Sequence, residues 1–217
     1  MPFLRNIIRW ICLLPSLASL CAQEAKTVPR VLIAGDGFYQ QSYKSIATEL
    51  ATQAQVTHRH PGSTGAALAG MDEWLGPEKW DVIYFNFGHA DLVYRDPQSK
   101  SVRVMSRHAG GVRTTSPETY EANLLEIIKR LKATGAKLVW ASTPPLPNSD
   151  QLFQPQSEVE YNQIAARVME REKVPQFDAY AIAKVELEGR QKRREPGYKD
   201  PMVPSIAAAI RQQLPPR

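Results

Sequence analysis

The residues able to do chemistry are few. The chain has four histidines, His58, His60, His89 and His108, and two cysteines, Cys12 and Cys21. His89 stands in Gly88-His89-Ala90-Asp91, directly after the apolar run DVIYFNF. Hydroxyls that a histidine base would activate are Ser63 and Thr64 in PGSTG, and Ser142 and Thr143 after KLVWA. At neutral pH a hydroxyl is a weak nucleophile unless a general base lies within about 3 Å of it. The chemistry these residue types could do is nucleophilic attack by a hydroxyl, and it depends on a histidine meeting one. His58 and His60 are two apart and share one face of a strand, but the sequence suggests no third ligand, so they read as solvated edge residues and no metal is expected. His89 falls in the predicted cleft and reads as a structural histidine. His108, in Arg107-His108-Ala109-Gly110-Gly111, reads as part of a flexible loop or lid.

These residues must be positioned by regular elements. Arg30-Val31-Leu32-Ile33-Ala34 is a short apolar run ending in Gly35-Asp36-Gly37, which predicts a buried strand and a turn. Helical spacing of Tyr43, Ile46, Ala47, Leu50 and Ala54 predicts a helix over 40–54. A short strand over 55–58 precedes PGSTG, which reads as a loop. The β-branched and aromatic segment 81–87 predicts a central strand. Ser116, Pro117 and Glu118 are an N-cap, a first helical residue and a charge that complements the helix dipole. The apolar stripe Leu124, Leu125, Ile127, Ile128 and Leu131 follows, and Gly135 ends that helix. A strand over 137–141, a polar loop to about 157, a helix over 158–172, a short strand near 175–177 and helices near 180–188 and 201–213 complete the chain. Alternating buried strands and helices predict a parallel sheet covered on both faces, a single α/β domain over 23–217. In such sheets ligands bind at the carboxyl ends of the strands.

Composition narrows the classes. The chain has 217 residues, 27 Lys and Arg against 22 Asp and Glu, and a formal charge of +5. Two cysteines, both within the first 21 residues, rule out a disulfide scaffold and a cysteine-based zinc module. Residues 1–22 begin with Arg5 and Arg9, continue as an apolar run and end in small residues, the order of a signal peptide. Cleavage after Ala22 leaves 25 basic and 22 acidic residues, a charge of +3 and no cysteine. That charge is too small to argue for nucleic acid. Two alternatives stay open: a lipoprotein modified at Cys21, with Leu20 standing where a small residue is expected, and an uncleaved anchor. The expected location is periplasmic or extracellular, with no membrane span in the mature chain.

The loop segments together resemble the SGNH/GDSL hydrolase family, and its bacterial secreted subgroup in particular. VLIAGDGF resembles the first block, a strand ending in Gly-Asp-Ser. PGSTG resembles the second, which supplies an oxyanion glycine, and DVIYFNFGHAD resembles the third, which ends in Gly-x-Asn-Asp. The subgroup's FN-x-G strand and its Trp-Ala followed by Thr-Pro are matched by Phe85-Asn86-Phe87-Gly88 and Trp140-Ala141-Ser142-Thr143-Pro144. The resemblance covers nearly the whole mature chain. It implies a three-layer α/β/α sandwich with a flavodoxin-like five-stranded parallel sheet. It also implies ester or acyl hydrolysis by a serine, a histidine and an aspartate, with no cofactor. The oxyanion would be held by backbone N–H groups and the third-block asparagine.

The departures fall on the catalytic positions. Gly37 stands where the nucleophilic serine belongs and Ala90 where the asparagine belongs. Glu195-Pro196-Gly197-Tyr198-Lys199 resembles the stretch that follows the family's Asp-x-x-His, which puts Arg193 at the histidine and Arg190 at the aspartate. No histidine follows His108. Gly37, Gly65 and His89 remain as oxyanion or cleft positions, and Asp36 and Asp91 as scaffold of the blocks. The expected protein is an exported, inactive or strongly impaired esterase homologue with a cleft for a small molecule or an acylated carbohydrate. Two further readings stand beside it. One is an active esterase or deacetylase with displaced groups, with Ser63 and either His89 or His108 as the first pair to check. The other is an interaction protein using the basic cluster Arg190, Lys192, Arg193 and Arg194.

Overall fold

The structure is a computed structural model that describes residues 27–35, 37–99, 103–146, 149–193 and 202–216. The predicted signal segment 1–22 lies outside the described residues. Among the described residues no helix is long and apolar enough to cross a membrane.

The strand β1 (Arg30–Ala34) leads into helix α1 (Gly37–Glu49) and strand β2 (Gln55–Arg59). Two short helices, α2 (Thr64–Ala69) and α3 (Met71–Leu75), precede β3 (Val82–Phe85). A single helical turn, α4 (His89–Leu92), follows β3, and then β4 (Tyr94–Arg95) and β5 (Val112–Arg113) pair antiparallel as a small excursion. Helix α5 (Pro117–Ala133), β6 (Lys137–Ala141), α6 (Ser157–Arg171), β7 (Gln176–Phe177), α7 (Ala179–Arg193) and α8 (Val203–Arg211) complete the order. The main sheet has five parallel strands in the order β2-β1-β3-β6-β7, which is the flavodoxin-like order that the family resemblance implies.

Alternation along the buried strands builds two cores. Leu32, Ile83, Phe85 and Trp140 face one layer, where Met71, Leu124, Ile127, Ile128, Ala165 and Val168 pack from α3, α5 and α6. Val31, Ile33, Val82, Tyr84 and Val139 face the other, against Ile46 of α1, Leu50 just past its end, and Ala183, Ile206 and Ile210 of α7 and α8. A strand buried on both faces has no polar side, which is why these segments read as apolar runs.

The predicted elements are present with shifted ends. α1 starts at Gly37, earlier than the helix expected over 40–54, and ends at Glu49. The PGSTG loop is shorter than expected, because Thr64 and Gly65 already belong to α2 with Ser63 as its N-cap. α5 follows its capping residues closely: Ser116 accepts from the Thr119 N–H, and Gly135 has φ of 78° just past the helix end. The β4–β5 excursion and α3 were not anticipated, since two-residue strands and single turns carry no periodic signal.

Candidate active site

The carboxyl edge of the sheet is held together by side chains from elements far apart in sequence. At the end of β1, Gly35 donates to the Arg59 carbonyl at 3.2 Å, and a ring nitrogen of His60 lies 2.9 Å from the Gly35 carbonyl oxygen. Asp36 lies outside the described residues. Gly37, expected from the sequence at the nucleophile position, opens α1.

After β3, the buried Asn86 donates to the Ala141 carbonyl at 2.8 Å and to Thr143 Oγ1 at 3.2 Å, joining the ends of β3 and β6. Thr143 Oγ1 donates to the Phe87 carbonyl, and Asn162 of α6 brackets Thr143 by accepting from its N–H at 2.7 Å and donating to its carbonyl at 2.9 Å. Gly88 is required here by proximity: a Cβ at that position would lie 2.0 Å from Thr143 Oγ1 and 2.9 Å from its Cβ.

Asp91 is fully buried. Its carboxylate accepts from the Thr64 N–H at 3.0 and 3.1 Å and from Thr64 Oγ1 at 2.6 Å, and Asn123 of α5 donates to that hydroxyl at 3.0 Å. A buried carboxylate is stabilised only where it is hydrogen-bonded, and here it satisfies donors at the start of α2. Gly65 sits one residue further along, inside the first turn of α2, and a Cβ there would come no closer than 3.9 Å to Asn123. The loop glycine that precedes the helix is Gly62, whose φ of 80° suits glycine.

The histidines are dispersed. His89 has Nε2 3.3 Å from the Pro144 carbonyl oxygen. Burial pushes its imidazole below the usual range, against the opposing pull of the Pro144 carbonyl and the buried Glu158 carboxylate. His108 is in a 3₁₀ turn, Arg107–Ala109, and its Nε2 lies 2.9 Å from Asp150 Oδ2. Arg107 also pairs with Asp150, and the two neighbours hold that exposed carboxyl below its ordinary range, His108 contributing most. Ser63 accepts from the Ala66 N–H as the α2 cap and makes no hydrogen bond to a histidine among the described residues. Ser142 donates to Asp178 and accepts from the Tyr180 N–H. His58 lies in β2 and His60 just past its end, where His58 stacks on Tyr43 with ring centroids 5.2 Å apart. No cluster of metal-ligating side chains occurs among the described residues. Ala90 is half-buried on α4 and offers no donor side chain. The side chains of Arg190, Lys192 and Arg193, and all of Arg194, lie outside the described residues.

Residues 32–201 match the GDSL-like lipase/acylhydrolase family, and the chain belongs to that family. No curated protein matches it. Among solved structures, the acetyl xylan esterase AlAXEase is similar with a TM-score of 0.62 at 13% identity, over 84% of this chain and 98% of that one. A lipase/acylhydrolase from Enterococcus faecalis is similar with a TM-score of 0.62 at 16% identity, over 87% and 98%. A variant of Axe2, an acetyl-xylooligosaccharide esterase from Geobacillus, gives 0.58 at 12% identity, over 85% and 93%. At these identities the likeness is one of fold.

Sequence reading missed the polar side chains that frame the site: Asn123, Thr143 as a bridge, Asn162, and the Ser142–Asp178 pair. Asn86 was visible only as part of a family signature. What the described arrangement offers chemically is backbone N–H groups at the starts of α1 and α2, a buried carboxylate that holds the start of α2, and a desolvated imidazole. It brings no hydroxyl to a histidine.

Two outcomes follow. Asp91→Asn turns one acceptor into a donor facing the Thr64 N–H, and is expected to cost about 2–3 kcal/mol in urea unfolding. His58, pushed down to about 4 chiefly by burial and then by His60 and Arg59, stays neutral in the folded chain where the unfolded chain takes up a proton. Its contribution is therefore present above pH 6.5 and lost as pH falls toward 4. His58→Phe keeps a stacked ring and is expected to flatten the unfolding free energy between pH 6.5 and 4 relative to the parent chain.

Proposed function

We propose that the protein is an exported GDSL-family member that has lost ester hydrolysis and keeps its cleft as a binding site for an acylated carbohydrate. The observation that carries this reading is Gly37: the residue at the end of β1 that opens α1 has no nucleophile to offer. Ala90 removes a side-chain donor from the third block, and no histidine follows His108. Nucleophile and base act as a unit, and losing either typically costs about 10⁶ in rate. The displaced-triad reading, with Ser63 and either His89 or His108, is less favoured, since Ser63 caps α2, His89 faces the Pro144 carbonyl and His108 bonds Asp150. The ligand class is supported by two of the similar structures being esterases of acetylated xylan or xylooligosaccharides.

The test is the purified protein with a fluorophosphonate probe and p-nitrophenyl acetate. No labelling and no turnover above buffer are expected, and Gly37→Ser alone is expected to leave the protein inactive because no base accompanies the hydroxyl. Titration with acetylated xylooligosaccharides is expected to give saturable binding, with deacetylated oligosaccharides weaker. Clear turnover by the parent chain, or no binding of either sugar, overturns the reading. Export is tested by expressing the full chain in a bacterial host and sequencing the protein recovered outside the cytoplasm, which is expected to begin at Gln23. An intact Met1 start overturns cleavage, and a lipid-bearing Cys21 replaces it with the lipoprotein reading.

A further inference from the structure

On the β2 side of the sheet a groove of about 370 Å³ opens between the end of β2 and the helices α2 and α3. β2 is an edge strand, and its side chains alternate between faces. Val56 packs into the core beside α1 and His58 stacks on Tyr43 of α1, so Arg59 points to the opposite face. Arg59 and His60 line the groove from the end of β2, Ala66 and Gly70 from α2 and its C-cap, and Glu73 and Trp74 from α3. The groove borders the candidate cleft. His60 Nδ1 lies 2.9 Å from the Gly35 carbonyl oxygen, and Ala66 directly follows Gly65.

The polar groups of this groove are left open where their neighbours are spent. Asp72 pairs with Arg130 and Glu78 with Arg30. Arg59 and Glu73 are both exposed, and neither makes an ion pair among the described residues. The Arg59 guanidinium makes one hydrogen bond there, from Nη1 to the His58 carbonyl at 3.2 Å. The Gly35 carbonyl can only accept, so His60 Nδ1 carries the proton, and Nε2 of the neutral ring is an acceptor. Trp74 Nε1 donates to the Ala67 carbonyl at 2.9 Å, so this indole offers the groove apolar surface and no donor. The set is one multiple donor and two acceptors beside small residues and part of an aromatic ring. A hydroxyl both donates and accepts, so a polyhydroxylated molecule satisfies all three groups. An anion would meet the Glu73 carboxylate, and a cation the Arg59 guanidinium.

We infer that this groove is a subsite for an uncharged sugar unit, continuing the chain whose acylated unit occupies the cleft. The inference rests on the cleft binding an acylated carbohydrate, and adds the side by which the chain leaves it. The planar guanidinium of Arg59 donates to neighbouring hydroxyl oxygens of one sugar ring, and Glu73 accepts from its hydroxyl hydrogens. Gly70 leaves room for the ring, since even an added Cβ there would come no closer than 3.6 Å to the Ala66 carbonyl oxygen. The volume lies within the range of about 300–1,000 Å³ usual for small-molecule sites.

The test compares mono-acetylated xylobiose with mono-acetylated xylohexaose by titration calorimetry on the purified protein. The longer chain is expected to bind at least ten-fold more tightly. Arg59→Ala and Glu73→Ala are each expected to weaken xylohexaose at least five-fold and to leave xylobiose unchanged. Gly70→Leu, which puts a side chain into the groove without removing a polar group, is expected to bring xylohexaose down to the affinity of xylobiose. Circular dichroism of each variant is expected to match that of the parent chain. Equal affinity for the two lengths, an unchanged xylohexaose affinity in Arg59→Ala or Gly70→Leu, or equal weakening of both chains overturns the subsite and leaves the cleft reading standing. Binding of neither chain overturns the cleft reading and the subsite with it.

Discussion

The carboxyl edge of this sheet depends on the buried carboxyl group of Asp91. Asp91 brings a carboxylate into a site with no exposure to water and satisfies it with the backbone and hydroxyl of Thr64, itself held by Asn123. That arrangement ties α4, α2 and α5 together at one point. Leaving such a group unpaired would be costly, so each partner is restrained by the others. The start of α2, where a backbone donor would face a ligand, is fixed by this contact and not by its own six residues.

A parallel restraint works on the neighbouring strands. Asn86 and Thr143 link β3 to β6, and the close approach of Thr143 leaves room only for glycine at position 88. Asn162 then anchors the same threonine to α6. The polar side chains at this edge cap helices and close strand ends.

Much of the fold was legible in the chain, and for identifiable reasons. Strands buried on both faces are continuous apolar runs, so β1, β3 and β6 stood out, and the capping residues Ser116 and Pro117 marked the start of α5. The expected loop at PGSTG was too long because the cap at Ser63 is completed by Asp91, 27 residues distant from Thr64. The β4–β5 excursion was invisible because its strands are two residues each, shorter than any period they could display. His108 read as a loop residue, and its turn is held by a hydrogen bond to Asp150 across 42 residues.

By itself the sequence determined the class of fold and the family: periodicity sets which segments are strands and helices, and the loop motifs between them carry the family's pattern. Only the tertiary structure decided where the polar side chains go. Asp91 with Thr64 and Ser142 with Asp178 are relations between segments 27 or more residues apart. Hydrogen bonds of this kind depend on distances of about 3 Å between groups brought together by packing, and no local pattern of residues encodes them.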